Sequence, residues 1–511
     1  MTAAHPNILI VMGDQMAAPA LPVYGHPLVR TPNIERLAQG GVVFENAYCN
    51  FPICAPSRFS MLSGRLASRI GAYDNAAEFP SATPTMAHYL RLAGYRTCAS
   101  GKMHFIGADQ QHGFEERLTT DIYPADFGWT PDWRQPDEQL EWFHNLVNVV
   151  AAGLSHRTLQ IDFDDEVAFR SRRWLYDHAR ADDKRPFFML VSFSHPHDPY
   201  NIPQDYWDRY DHDAIDLPTV PPMPLNERDP HSRRLYANYD RGEHEITEAH
   251  VRNARHAYYG AISYVDDRIG ELLQTLEVTG QLEDTIVIVT SDHGDMLGER
   301  GMWFKMTFFE WACRVPLIFH APGRFAPARP SGNVSLVDLA PTLLDLAGAK
   351  APQTAEPDGR SLVPLLDGAG AGRPDIVLGE YFAEGSVAPM FMVRQGRYKY
   401  IACEADPPLL YDLDADPAEL DNLAGTADHA GTERALMEII GETWDSEALC
   451  RDVVASQQRR RLVFQALMTG DRTLWDYEPR HAEAKAYVRN IAGLYEKEAR
   501  AFLPRRGPAG S

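Results

Sequence analysis

Four short runs of apolar residues constrain this chain most: "NILIVM" (7–12), "FFMLVSF" (187–193), "TIVIVT" (285–290) and "VPLIF" (315–319). None alternates polar with apolar residues, so each reads as a strand buried on both faces, as in a largely parallel sheet. Helical patterns lie between the runs. In the clearest, Tyr258, Ile262, Val265, Ile269, Leu272 and Leu276 recur at spacings of four and three and form one apolar face. Strands that alternate with helices predict an α/β fold, a large, mostly parallel central sheet flanked by helices.

A chain of 511 residues is too long for one small core, so a large domain with a smaller one is expected. The pattern changes at "LDGAGAGRPD" (366–375), a Gly/Ala/Pro-rich stretch that reads as a linker or loop. Short strand-like runs such as "MFMVR" and "YKYIA" follow, and the chain is helical and charged from about 430. The expected division is 1–370 and 371–511, the second part holding a small antiparallel sheet and a helical tail.

The formal net charge of -22 argues against sequence-independent nucleic-acid binding, which runs on Lys and Arg. The six cysteines form no C-x-x-C pair, so neither a structural zinc site nor a disulfide framework is indicated. "MTAAHPNILIVMGDQ" has no basic segment leading into a long apolar one, and the run within it is strand-length, not membrane-length. A cytoplasmic protein with no membrane partner is expected.

In an open α/β sheet, ligands bind beyond the carboxyl ends of the strands. Asp14 follows the first run, and Asp292 and His293 follow another in "SDHGDMLGERG". Asp favours turns in any case. Two such strand ends, one offering Asp–His–Gly, together suggest a shared cation. Carboxylates suit hard cations, and the imidazole widens the choice toward manganese. "SGKMHFIG" (100–107) sets Lys102 and His104 two apart, facing the same way if the segment is extended. "SHPHDPY" (194–200) supplies His195 and His197, and "WFKMTFFEWACRVP" supplies Lys305. With Arg58, these make a cation site with an excess of positive groups, which suits a tetrahedral oxyanion. The nucleophile candidate is Cys54, in "CAPSRFSMLSGR" (54–65), on what reads as a loop leading into a helix.

These blocks resemble the type I sulfatases of the alkaline-phosphatase superfamily. "CAPSR" matches their signature Cys-x-Pro-Ser-Arg, and "PNILIVMGDQ", "GYRTCASGKMHFIG", "SDHGDMLGERG" and "SLVDLAPTLLDLAG" extend the similarity over most of the chain. The resemblance implies the alkaline-phosphatase-like fold and oxidation of Cys54 to formylglycine by a formylglycine-generating enzyme. It implies one divalent metal, calcium or manganese with magnesium as a third choice, held by Asp14, Asp292, His293 and residue 54. Many sulfatases have two consecutive Asp after the first strand. Here the second is Gln15, a further candidate ligand through its amide oxygen.

The resemblance also assigns chemistry. One hydroxyl of the hydrated formylglycine attacks sulfur and displaces the alcohol, and the other expels sulfate. Arg58 and Lys102 position and neutralise residue 54 and the sulfate, and His104 is the base for sulfate release. His197 and Lys305 face the leaving oxygen, one of them as acid. Within the family, "GADQQHGFEERLTTDIYPADFGWTPDW" (107–133), "YDNAAE" (73–78), "YFAEGSVAP" (381–389) and "WDSEALCRDVVASQQRRRLVFQAL" (444–467) are similar to choline sulfatases. A quaternary ammonium has no N–H to donate, so aromatic faces and carboxylates must hold it. Trp129 and Glu384 are first choices, with Asn75 beside them. The resemblance further implies a homo-oligomer, dimer or tetramer, supported by the tail. The rivals are a phosphonate monoester or phosphodiester hydrolase of the same superfamily, an arylsulfatase, and a non-catalytic relative with unmodified Cys54.

Overall fold

The computed structural model describes residues 5–136, 138–140, 143–240, 242–349, 357–370, 372–471 and 493–504. All four apolar runs lie in or beside strands of one seven-stranded sheet. Its strands are β1 (Asn7–Asp14), β2 (Val42–Val43), β3 (Arg96–Gly101), β4 (Glu116–Arg117), β5 (Phe187–Pro196), β6 (Thr285–Thr290) and β7 (Leu317–His320). The spatial order is β2-β7-β6-β1-β5-β3-β4. The strands from β6 to β4 run parallel, and β7 is antiparallel to both β6 and β2. The expected, mostly parallel sheet is therefore present, with one exception, β7, next to the edge strand β2.

Burial explains the unbroken apolar runs. Residues Ile8 to Met12 of β1 are all 0% exposed, so neither face could carry a polar side chain without a partner. Each such side chain contributes roughly 1.5–3 kcal/mol relative to exposure. Helices α1 (Cys54–Ser63), α2 (Leu159–Arg180) and α3 (Glu248–Val278) pack in the layers around the sheet, α2 and α3 directly against β5. The six residues of the predicted stripe on α3 are all buried.

A second sheet is antiparallel throughout: β8 (Ile376–Tyr381), β9 (Met390–Gln395), β10 (Tyr398–Cys403) and β11 (Asp406–Asp412). Helices α4 (Ala430–Thr443), α5 (Ser446–Leu467) and α6 (Leu494–Ala501) follow. Of the expected helical tail, 472–492 and 505–511 lie outside the described residues. No helix among the described residues is long and apolar enough to cross a membrane.

Candidate active site

The carboxyl ends of β1, β6, β5 and β3 lie side by side, and each delivers candidate residues to one place. Asp14 ends β1, Asp292 and His293 follow β6, His197 follows β5, and Lys102 follows β3. At the end of β3 the backbone passes very close to β5. A Cβ on Gly101 would lie 1.9 Å from the Ser192 carbonyl oxygen, so only glycine fits. The extended segment expected for Lys102 and His104 is absent. The strand stops at Gly101, and His104 has φ +58. The two side chains reach the site from an irregular turn instead.

Cys54 arrives from the opposite direction, as the first residue of α1. Pro56 fits that first turn because an N–H there has no helical partner. Gly64, at φ 69, closes the far end. The sequence suggests a loop position for residue 54. The structure instead places it inside the helix and 1% exposed, because all of α1 is threaded through the interior.

Asp14, Cys54, Asp292 and His293 present ligand atoms that all lie within 4.8 Å of one another. His293 Nε2 is 3.2 Å from the Cys54 sulfur. Its Nδ1 lies 3.0 Å from the Gly294 carbonyl oxygen, which only accepts, so Nδ1 carries the proton and Nε2 is free to ligate. Burial, and then Asp292, raise the Asp14 pKa to about 7. Two buried carboxylates without a cation repel each other, and a divalent ion would relieve that. The donor set therefore fits a hard or borderline cation.

Positive groups surround this cluster. Lys102 Nζ pairs with Asp14 and lies 3.5 Å from the Cys54 sulfur. Arg58 Nε donates to Asp292 Oδ2 at 2.8 Å, and its Nη1 donates to the Lys102 carbonyl and, at 2.8 Å, to Ser192 Oγ. Burial alone would raise the Cys54 thiol, yet Lys102, Lys305 and His293 draw it well below its ordinary value. Burial lowers the His104 pKa, with the nearby Cys54 sulfur opposing. Arg58, Lys102, His104, His197 and Lys305 are each at most 6% exposed. Such burial of five basic side chains is rare without a function.

Lys305 and His197 form a second cluster. Lys305 Nζ lies 2.8 Å from His197 Nε2 and donates to Gln15 Oε1 at 2.5 Å. The expectation for Gln15 changes here. Its amide nitrogen donates to Asp295 at 2.6 Å and Asp198 at 3.4 Å, so its oxygen is turned to Lys305. Sequence reasoning also passed over Asp198, His144 and Asp295. Asp198 lies 3.4 Å from His144 Nδ1 and accepts from Asn148 at 2.6 Å. It stands next to His197 in "SHPHDPY", where it could have been noticed. His144 follows no strand and had no signal.

The residues expected to bind the substrate's cation are all buried. Trp129 is 8% exposed and meets His104 edge-on, ring centroids 5.3 Å apart. Glu384 is 7% exposed. Its pKa is raised to about 7, by burial first and then by Asp74 and Cys54, with Lys305 opposing. Asn75 has a partner within the chain. Its side-chain oxygen accepts from the Ala55 N–H at 3.0 Å, so it anchors the start of α1. Near the chain's end, α6 packs on α2, and the Tyr495 hydroxyl donates to the Phe143 carbonyl at 3.1 Å. Glu498 has its pKa raised to about 8 by burial and by Asp198, so α6 of this same chain lies within electrostatic reach of the site.

Comparison with known proteins bears directly on this arrangement. The family model described as Sulfatase matches residues 6–349, more than half of the chain. The chain belongs to the sulfatase family. This sulfatase also matches the model of the N-sulphoglucosamine sulphohydrolase C-terminal region over 298–445 and that of the choline sulfatase enzyme C terminus over 451–501. It is 47% identical to a choline-sulfatase of Rhizobium meliloti, over 99% of this chain and 100% of that one. It is 30% identical to an arylsulfatase of Clostridium perfringens, over 83% and 91%. The solved phosphonate monoester hydrolase of Agrobacterium radiobacter is 26% identical with a TM-score of 0.68, over 86% and 95%. The enzyme is thus a hydrolase of sulfuric esters, and its fold is that of its sulfatase neighbours.

Proposed function

We propose that this sulfatase hydrolyses choline O-sulfate to choline and sulfate, with residue 54 as formylglycine and one divalent cation, calcium or manganese with magnesium as a third choice. The observation that carries the reading is the 47% identity, over essentially both full lengths, to a choline-sulfatase. The "CAPSR" signature supports the modification, which calls for a formylglycine-generating enzyme as partner.

Asp14, Asp292, His293 and residue 54 would hold the cation. Bound there, the cation supplies charge neutralisation for the transferring group, and the hydrated aldehyde supplies an oxygen nucleophile that divides hydrolysis into two easier halves. The chain's own groups do the rest. Arg58 and Lys102 orient residue 54 and neutralise sulfate oxygens. His104, kept neutral by burial, accepts the proton as sulfate leaves. Lys305 protonates the departing alcohol, with His197 holding its ammonium in place. Trp129 and Glu384 receive the trimethylammonium group.

A phosphonate monoester or phosphodiester hydrolase is the second reading, supported by the Agrobacterium radiobacter neighbour, and an arylsulfatase is the third, supported by the Clostridium perfringens relative. Turnover of choline O-sulfate, an aryl sulfate and a phosphodiester by one metal-loaded sample separates them. Choline O-sulfate should have the highest kcat/KM, and a higher value for either rival ester would overturn the choline reading. Mass spectrometry of the peptide containing residue 54 should show the aldehyde. Full activity with an intact thiol would contradict it.

The division into 1–370 and 371–511 belongs to the same proposal. So does a cytoplasmic location, which six unpaired cysteines support. A homo-oligomer, dimer or tetramer, is also proposed. Leu462 and Val463 on α5, 68% and 42% exposed, are apolar surface that a second copy would cover.

A further inference from the structure

Asp74 is fully buried, and its partner is 386 positions away in the chain. Arg460, on α5 and 7% exposed, donates from Nη1 to one oxygen of Asp74 at 2.6 Å and from Nη2 to the other at 2.7 Å. Nη1 also reaches Thr130 Oγ1 at 3.2 Å. A planar guanidinium on both oxygens of a carboxylate fixes direction as well as distance.

These contacts reach two loops that carry candidate site residues. Asp74 precedes Asn75, which anchors the start of α1 beside Cys54. Thr130 follows Trp129. One guanidinium therefore ties the loop at Asp74 to the loop that carries Trp129. The same helix adds a second tie. Gln457 accepts from the Trp133 backbone N–H at 3.0 Å, and the Trp133 indole donates to the Ala383 carbonyl at 3.4 Å, next to Glu384. Arg460 also balances the charge of Asp74, which otherwise adds to the negative field at Glu384. Residue 460 lies within 451–501, the stretch that matches the choline sulfatase C-terminal model.

We propose that Arg460 is a positioning residue that sets the cation pocket, holding Trp129 and Glu384 in the arrangement that selects a cationic ester. The proposal deepens the choline reading and rests on it. Arg460 touches no reacting atom, and Asn75 keeps its own hydrogen bond to the Ala55 N–H, so the effect should fall on recognition of the cation and not on sulfate chemistry.

The test uses the full-length, metal-loaded enzyme and two readouts: kcat/KM for 4-nitrophenyl sulfate, and the inhibition constant of choline against that turnover. Arg460→Met should raise the choline inhibition constant at least tenfold while 4-nitrophenyl sulfate turnover stays within about threefold. Arg460→Lys, which keeps the charge and loses the fork, should lie between. Because an unpaired buried carboxylate destabilises a fold, Asp74→Asn/Arg460→Gln is the companion variant. It keeps hydrogen-bonding groups without charge and should repeat the selective loss. A choline inhibition constant unchanged in both variants overturns the proposal, and so does an equal loss in both readouts, which marks Arg460 as merely structural. If the unaltered enzyme is not inhibited by choline and shows no preference for choline O-sulfate, the choline reading itself has failed. That outcome is distinct from a preference that survives Arg460→Met.

Discussion

Lys305 Nζ lies 2.8 Å from Nε2 of His197, while Nδ1 of the same ring lies 2.6 Å from the Asp198 carbonyl oxygen. The carbonyl only accepts, so the ring proton sits on Nδ1 and Nε2 must accept from the ammonium. Burial, and after it Lys305, lower the His197 pKa, in keeping with a neutral ring. Of the two groups expected to face the leaving oxygen, Lys305 is the one with a proton to give.

Lys305→Ala should therefore lower kcat for an alkyl sulfate by about 10²–10⁴-fold, the usual worth of a general acid. An aryl sulfate with a good leaving group needs less help and should lose much less. His197→Asn, which removes the ring that holds the ammonium, should give a smaller effect with the same leaving-group trend. Steady-state rates on both esters check this, and equal losses on both would remove Lys305 as the acid.

Asp292→Asn should reduce metal content and activity together. The change removes a charge from the cation cluster and weakens the ion pair with Arg58 Nε at 2.8 Å. Affinity should fall by at least about 10–100-fold, the range typical of changes one shell further out. Elemental analysis after gel filtration reads the metal directly. Full metal content with lost turnover would make Asp292 an acid–base group.

Glu384 predicts a pH dependence. Its pKa is raised to about 7 by burial first and then by Asp74, so it is neutral below that pH in the free enzyme. KM for a cationic ester should rise as pH falls below about 7, and KM for an aryl sulfate should show no such step. The folded chain binds this proton more tightly than the unfolded chain, whose ordinary value is 4.5. Glu384 thus favours the fold at low pH, and this contribution is lost as pH rises through about 7. Glu384→Gln should flatten the KM profile and, above pH 8, raise Tm. A KM step that survives Glu384→Gln belongs to another group.

Trp129→Ala should weaken use of choline O-sulfate by at least about tenfold, since a desolvated cation–π contact is worth roughly 2 kcal/mol. An aryl sulfate has no cation and should be nearly unaffected. Parallel losses would make Trp129 a packing residue.

The core strands and the clustering of strand-end groups are legible because burial on both faces leaves no room for polar alternation, and because candidate groups collect where parallel strands end. Asp14, Asp292 and His293 stand out as candidates on that ground alone, and the fold brings them together. Lys102 and His104 come from an irregular segment that periodicity does not encode, since positive φ at His104 is a tertiary outcome. Asn75 reads as a substrate residue in the sequence, and only the folded geometry shows that its oxygen accepts from the start of α1. The Asp74–Arg460 pair is invisible in one dimension. Two oppositely charged residues so far apart look like surface charges until the fold buries both.

The central claim is that the enzyme reads the positive charge of its substrate. The direct test compares kcat/KM for choline O-sulfate with that for 3,3-dimethylbutyl sulfate, in which carbon replaces the quaternary nitrogen and shape is kept. The account predicts a preference of at least about tenfold for choline O-sulfate, from a cation–π contact of roughly 2 kcal/mol with Glu384 adding to it. Equal kcat/KM values for the two esters would contradict it.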